Sequence, residues 1–263
     1  MTFFSVKNLS AGYGKTNVLT DICFSLDEGK ILGVLGANGC GKTTLLKCIC
    51  GILPHNGQCI LSGEKLDNLS ARQISQKCSY IPQRSGISID LSVFDVVMMG
   101  FNPKLGLLQH PDEKMKKMGE QALLMVGLED KKDDDYLTLS EGQKQLCIIA
   151  RTLVSDAKLL LLDEPESALD FKLRYKTLLM LKEWLKKQKS SAIVTLHDSA
   201  LALNYCDELL LVDEGKVLGV IRPKTDSFEE MQKLLSKIYG NISLQKCCTK
   251  QGKENIILIK EED

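Results

Sequence analysis

Residues 36–43, Gly36-Ala37-Asn38-Gly39-Cys40-Gly41-Lys42-Thr43, fit the pattern GxxxxGK[ST]. Its glycines let successive backbone N–H groups turn toward one point. A helix beginning near Lys42 adds its positive dipole end, Lys42 reaches the β- and γ-phosphates of a nucleotide, and Thr43 offers a hydroxyl to Mg²⁺. Further on, Leu159-Leu160-Leu161-Leu162-Asp163-Glu164 is a buried strand ending in two carboxylates. Asp163 can hold Mg²⁺ with Thr43, directly or through water. Glu164 can orient and deprotonate an attacking water. Two acids at a strand end are common, but behind such a loop they describe phosphoryl chemistry on a bound nucleoside triphosphate.

Weaker signals surround these. His197 ends the apolar run 192–196, at the same expected sheet end as Asp163 and the loop. Ligands of open α/β sheets bind outside the carboxyl ends of the strands, which points His197 at the γ-phosphate rather than at a core or capping role. Gln83 follows Tyr80-Ile81-Pro82, and Tyr13 sits between Gly12 and Gly14. Taken alone, they fit a loop residue and surface packing. Leu139-Ser140-Glu141-Gly142-Gln143 has the form of a helix start, with Ser140 as the capping residue. Pro165-Glu166-Ser167-Ala168-Leu169-Asp170 directly follows the carboxylates.

The elements that must position these groups alternate. Residues 3–26 suggest antiparallel strands broken by glycine turns. Residues 31–35 read as a buried strand, and the helix after Lys42 turns Leu45, Leu46 and Ile49 to one face. From about 88 to 156 the pattern is helical, with an exposed charged connection at 129–135. Then come strands at 159–162 and 192–196, an amphipathic helix between them at 171–188, and a hairpin over 208–221 turned by Asp213-Glu214-Gly215. After Arg222-Pro223 a helix and a last strand at 256–259 remain. The expected fold is α/β, a core carrying an N-terminal antiparallel β region and an inserted α-helical subdomain.

Bulk composition narrows the classes. The 263 residues are 44% hydrophobic, with 34 basic and 34 acidic side chains and zero formal net charge. That balance offers no general pull toward nucleic acid or an anionic membrane. No N-terminal signal is visible, and no apolar run approaches the ~20 residues that span a bilayer. A chain inside the cell that docks on a membrane partner fits. The ten cysteines are scattered without CxxC spacing, which favours reduced thiols over disulfides or a metal site.

In order, the chain presents an aromatic residue, a phosphate loop, Gln83, LSEGQ, Asp163-Glu164, SALD and His197. This resembles the ATP-binding subunit of ABC transporters over residues from about 3 to 221. The resemblance implies a P-loop NTPase (RecA-like) core, with one ABC ATPase domain over 1–221, its helical subdomain at about 88–156, and a helix–strand extension over 222–263. It implies ATP and Mg²⁺, with Gly36, Ala37, Asn38, Gly39, Cys40, Gly41, Lys42, Thr43 and Thr44 around the phosphates and Tyr13 stacked on adenine near Val18. Thr43, Gln83 and Asp163 would serve the metal, Glu164 would be the catalytic base, and His197 would be the γ-phosphate switch. Ser140, Gly142, Gln143 and Asp170 would complete the nucleotide contacts, the signature residues reaching ATP on the other protomer. Implied partners are a second copy, polytopic membrane permease subunits at the cytoplasmic face, with Gln83 touching them, and, indirectly, an external substrate-binding protein; nucleic acid is not among them.

The run 93–100, with Pro103 and Gly106 after it, the pattern 146–151 and the ending Ile238-Tyr239-Gly240 are similar to importers of iron-siderophore, haem or cobalamin type. The rival is a soluble ABC-type ATPase of DNA repair or translation, whose usual coiled-coil, zinc-binding or second ATPase insertions are not visible here.

Two positions depart from the family pattern. Glu141 stands where glycine is usual. Consecutive helical residues point about 100° apart, so its carboxylate is expected to turn away from a phosphate that Ser140 faces. Cys40 stands where Ser or Ala is usual, and Lys42 with the helix N-terminus is expected to favour its thiolate and make it reactive.

Overall fold

A computed structural model describes residues 2–83, 86–106, 108–250, 252 and 254–262. Met1 and three positions of the expected 222–263 extension lie outside them.

In chain order the elements are β1 (Phe4–Tyr13), β2 (Thr16–Leu26), β3 (Ile31–Leu35), α1 (Lys42–Ile49), β4 (Asn56–Leu61), β5 (Glu64–Lys65), α2 (Ala71–Lys77), β6 (Cys78–Ile81), α3 (Val93–Met98), α4 (Glu113–Val126), α5 (Glu141–Val154), β7 (Leu159–Asp163), α6 (Phe171–Gln188), β8 (Ser191–Thr195), α7 (Ser199–Tyr205), β9 (Glu208–Asp213), β10 (Lys216–Ile221), α8 (Phe228–Tyr239), β11 (Ile242–Cys248) and β12 (Glu254–Lys260).

The six-stranded sheet runs β10-β9-β3-β8-β7-β6 and is parallel except for β10, the return of the β9 hairpin. Its central strands β3, β7 and β8 are buried at every residue, as strands covered on both faces must be. Alternation divides their side chains between two cores. Ile31, Leu35, Leu160 and Leu162 join the helical core of α3, α4 and α5, while Leu32, Val34, Leu159 and Leu161 pack with the β1–β2 side. That side carries the antiparallel sheet β2-β1-β4-β5. All parallel strands end on one edge, so Gly36, Gln83, Glu164 and His197 start from neighbouring strand ends.

Sequence periodicity misses several short elements: β4, β5, α2, α7 and β11. β4 and β11 break their apolar runs with polar residues, and β5, α2 and α7 are too brief for a repeat to declare itself. The tail consequently holds one strand more than the expected helix and strand. β11 and β12 pair antiparallel, and Asn204 of α7 clasps the β12 backbone, accepting from Ile256 N–H and donating to its carbonyl, each at 2.8 Å. α8 sets Leu234 against Gly219 of β10.

Candidate active site

The loop after β3 wraps around its own lysine. Lys42 is buried, and its Nζ donates to the Gly36 and Ala37 carbonyls at 2.8 and 3.1 Å. Gly39 and Gly41 have φ of 81° and 109°, conformations that β-carbon sterics deny most residues. A β-carbon at Gly41 would strike Leu19, with Val18 beside it. Val18 therefore lies against the loop, and Tyr13, 49% exposed, keeps an aromatic face free at the end of β1. α1 opens on Gly41 with no side-chain cap and no acidic residue in its first turn. Its first N–H groups are left for an anion. Asn38, Gly39, Gly41, Lys42, Thr43, Thr44 and Glu164 line a cavity of about 140 Å³.

Behind the loop, β7 and β8 pair Asp163 with Thr195 in register. Asp163 Oδ1 accepts the Thr43 hydroxyl at 3.1 Å and the Thr195 hydroxyl at 2.8 Å, and Oδ2 accepts the Tyr80 hydroxyl at 3.3 Å. Burial and the Asp163 charge push the Tyr80 phenol above its usual range. This oxygen-only grouping of Thr43 and Asp163 suits Mg²⁺.

Glu164 follows in a left-handed conformation, φ 50°, held by its N–H bond to Thr195 Oγ1 at 2.9 Å. That strained turn frees the side chain from the strand's alternation. Its Oε2 accepts from Gln83 Nε2 and its Oε1 meets His197 Nε2, each at 2.5 Å. Three residues far apart in sequence thus form one contact chain beside the phosphate loop. A carboxylate so placed can take a proton from water, and His197, half exposed, can follow a phosphate at the cavity mouth.

Sequence reasoning missed three residues here. Thr195 and Tyr80 orient Asp163. The third, Glu166, is buried with Oε2 unpartnered, while Oε1 accepts the His197 N–H at 3.4 Å. Burial, then the neighbouring Glu164 charge, pushes its carboxyl up to about 7. The one available signal was position, at or near strand ends already under suspicion.

The signature stretch stands apart. Ser140 caps α5 in a reciprocal box: Gln143 N–H donates to Ser140 Oγ at 3.3 Å, and Ser140 N–H donates to Gln143 Oε1 at 3.0 Å. Other capping serines also give up their O–H, Ser70 to Gln73, Ser92 to Asp95 and Ser227 to Glu230. Among the described hydrogen bonds, Ser140 donates its O–H to nothing. It can cap and still donate to a phosphate oxygen. Gly142 faces the Ala168 carbonyl, which a β-carbon would approach to 3.2 Å. No described hydrogen bond links Ser140, Gly142 or Gln143 to the phosphate loop. Asp170 accepts from Leu173 N–H at 2.8 Å as the cap of α6. Glu141 turns out to Lys144 at 2.9 Å, 81% exposed, as its helical position requires.

The Cys40 expectation is overturned. The thiol is buried against Gly36, and burial raises its pKa more than Lys42 and the helix start lower it. It packs as a small buried side chain under the loop.

A family model described as ABC transporter matches residues 19–167. The chain is 32% identical over 241 residues to an uncharacterized ABC transporter ATP-binding protein of Methanocaldococcus jannaschii, covering 90% of this chain and 83% of the relative. It is 35% identical over 214 residues to a Helicobacter pylori protein named "Probable iron chelatin transport ATP-binding protein", covering 81% and 84%. A solved structure described as "An inward-facing conformation of a putative metal-chelate type ABC transporter" superposes with a TM-score of 0.83 at 26% identity, covering 99% of this chain and 98% of the other. Among the described residues, no helix is long and apolar enough to cross a membrane.

Proposed function

The chain belongs to the ABC transporter family of ATP-binding cassettes, a family of ATPases, and from that premise we propose that it is the ATP-hydrolysing subunit of an importer for iron chelates. One observation carries the catalytic part: Glu164 is held between Gln83 and His197 at the rim of the phosphate-loop cavity.

In this reading ATP lies with adenine on Tyr13 and its phosphates on the N–H groups of 36–44, neutralised by Lys42. Mg²⁺, which Thr43 and Asp163 would hold near Gln83, supplies charge neutralisation for the phosphates. Glu164 accepts a proton from the attacking water. His197, through its Nε2 link to Glu164, keeps the base in line; turned to the cavity, the same N–H would instead donate toward the γ-phosphate. The uncapped start of α1 favours the negative charge that develops there. Ser140, Gly142 and Gln143 of a second copy close the same site with the free Ser140 O–H. Gln83, bonded to Glu164, also borders a cavity of about 620 Å³ with Ile87, Glu141, Lys144 and Ser167. A permease segment seated there would act on the base through Gln83, at the cytoplasmic face of the membrane. The helical subdomain at about 88–156 would move with it, while 222–263 stays on the core.

The iron-chelate cargo rests on the relatives' names, which do not favour the repair or translation alternative. A pull-down from detergent-solubilised membranes should recover a polytopic permease; recovery of ribosomes or nucleic acid instead would overturn transport. Vesicles holding that complex should accumulate a ferric chelate on ATP addition. Uptake of cobalamin or haem in its place would overturn the cargo alone.

A further inference from the structure

At the end of α1 opposite the phosphate loop, tertiary structure gathers what the sequence scatters. Cys48 of α1, Cys50 at its end, Cys59 of β4 and Cys78 of β6 lie close enough for charge on one to act on another. Burial pushes Cys48 and Cys78 up to about 12 and raises Cys59 as well. Beside Cys59 stand two residues of different chemistry. His55 Nε2 is 3.1 Å from Asp67 Oδ1 and 3.9 Å from Cys59 Sγ, and the three donor atoms lie within 4.8 Å of one another.

Backbone contacts aim them. His55 Nδ1 is 3.0 Å from the Asn56 carbonyl oxygen, which can only accept, so Nδ1 carries the hydrogen. Nε2 is thereby left to face Asp67 and Cys59. Asp67 Oδ2 accepts the Cys59 N–H at 2.9 Å, which leaves Oδ1 for the site. Outer hydrogen bonds of this kind orient metal-binding side chains. Tetrahedral zinc distances imply edges of about 3.3 Å from N to O and about 3.6 Å from N to S. The gaps of 3.1 and 3.9 Å are a few tenths from those edges. A cavity of about 250 Å³, with Cys48, Ile49, His55, Leu66 and Asp67 in its wall, borders the His55–Asp67 side of the group.

We propose that His55, Cys59 and Asp67 form a binding site for a divalent cation of the zinc class, its fourth position facing this cavity. Nitrogen, sulfur and oxygen donors together suit zinc, whereas Mg²⁺ and Ca²⁺ take oxygen alone. Binding displaces the Cys59 proton and converts a buried thiol into a paired thiolate. Loading would pin β4 to the turn at 66–68, at the foot of the helix whose other end carries Lys42 and Thr43. The site is independent of the transport reading. The plainer arrangement, a His55–Asp67 ion pair above a core thiol, assigns the sulfur no part.

The metal-free full chain titrated with Co²⁺, a spectroscopic stand-in for Zn²⁺, should develop a thiolate-to-cobalt charge-transfer band that saturates at one equivalent and disappears on adding Zn²⁺. Cys59→Ser should abolish the band, and His55→Gln should weaken Co²⁺ binding by about 10–100-fold or more. Removing the exposed thiols with Cys23→Ser and Cys248→Ser should leave it intact. Should Cys59→Ser fold poorly, Asp67→Asn on the exposed rim carries the same test through the Co²⁺ affinity. Absence of a band, a band surviving Cys59→Ser, or one lost with the exposed thiols overturns the proposal.

Discussion

Two helices in this chain begin beside residues that resemble nucleotide contacts, and they begin in opposite ways. α1 starts on Gly41 without a cap, backed by Asp163, Glu164, Thr195, Gln83 and His197, all contributed by the same chain. α5 starts on Ser140 with its cap complete, and its described hydrogen bonds stay within its own first turn. An uncapped N-terminus inside a prepared pocket is a ready place for an anion. A satisfied one holding a single unspent hydroxyl asks little of its own chain and can serve another. Under the proposed function, the contrast is between a half-site organised in cis and one that would act in trans.

The largest effect should come from the cis half. Glu164→Gln is expected to lower ATP turnover on the order of 10²–10⁴-fold while nucleotide binding persists, read by phosphate release and equilibrium binding. A loss of only a few-fold would remove the chemistry from this half.

Mixing variants tests the trans half. Ser140→Arg should be nearly inactive alone, as should Glu164→Gln. Mixed in equal amounts they should regain activity, because about half the dimers are mixed and each of these keeps one intact site, about a quarter of the total. No recovery on mixing would mean that Ser140 acts within its own chain.

Glu166 sharpens the cis side through pH. Its folded carboxyl holds a proton up to about 7, against 4.5 as the ordinary value. The unfolded chain releases that proton first, so stability falls as pH rises from 4.5 toward 7 and levels off above. The contribution is at most about 3 kcal/mol, and Glu166→Gln should flatten it in urea unfolding curves taken across that range.

The smallest effect belongs to α5. Glu141→Gly removes an exposed pair with Lys144, and turnover should stay within about threefold of wild type. A large rise would show Glu141 restraining the trans contact despite its outward turn.

Much was legible in the sequence because the signals were local. The phosphate loop is a continuous octapeptide, the carboxylates close an apolar run, and the Ser140 cap and its Gln143 partner are three residues apart. Helices α4, α5 and α6 are long enough for periodicity to show them. α2 is not, the polar residues within β4 and β11 hide them, and the sheet order that sets β3 between β8 and β9 has no local signature.

What the sequence by itself determined was which chemistry is present: phosphate-binding backbone, a base, a metal-seeking pair and an exposed cap. Which side chains reach one another was decided by tertiary structure. Thr195 meets Asp163 through strand register, and Glu164 bridges Gln83 and His197 through a backbone turn at φ 50°. Burial likewise raises the pKa of Cys40 against expectation and that of Glu166, while packing draws Cys48, Cys59 and Cys78 together. Desolvation and register depend on neighbours distant along the chain, and no local pattern encodes them.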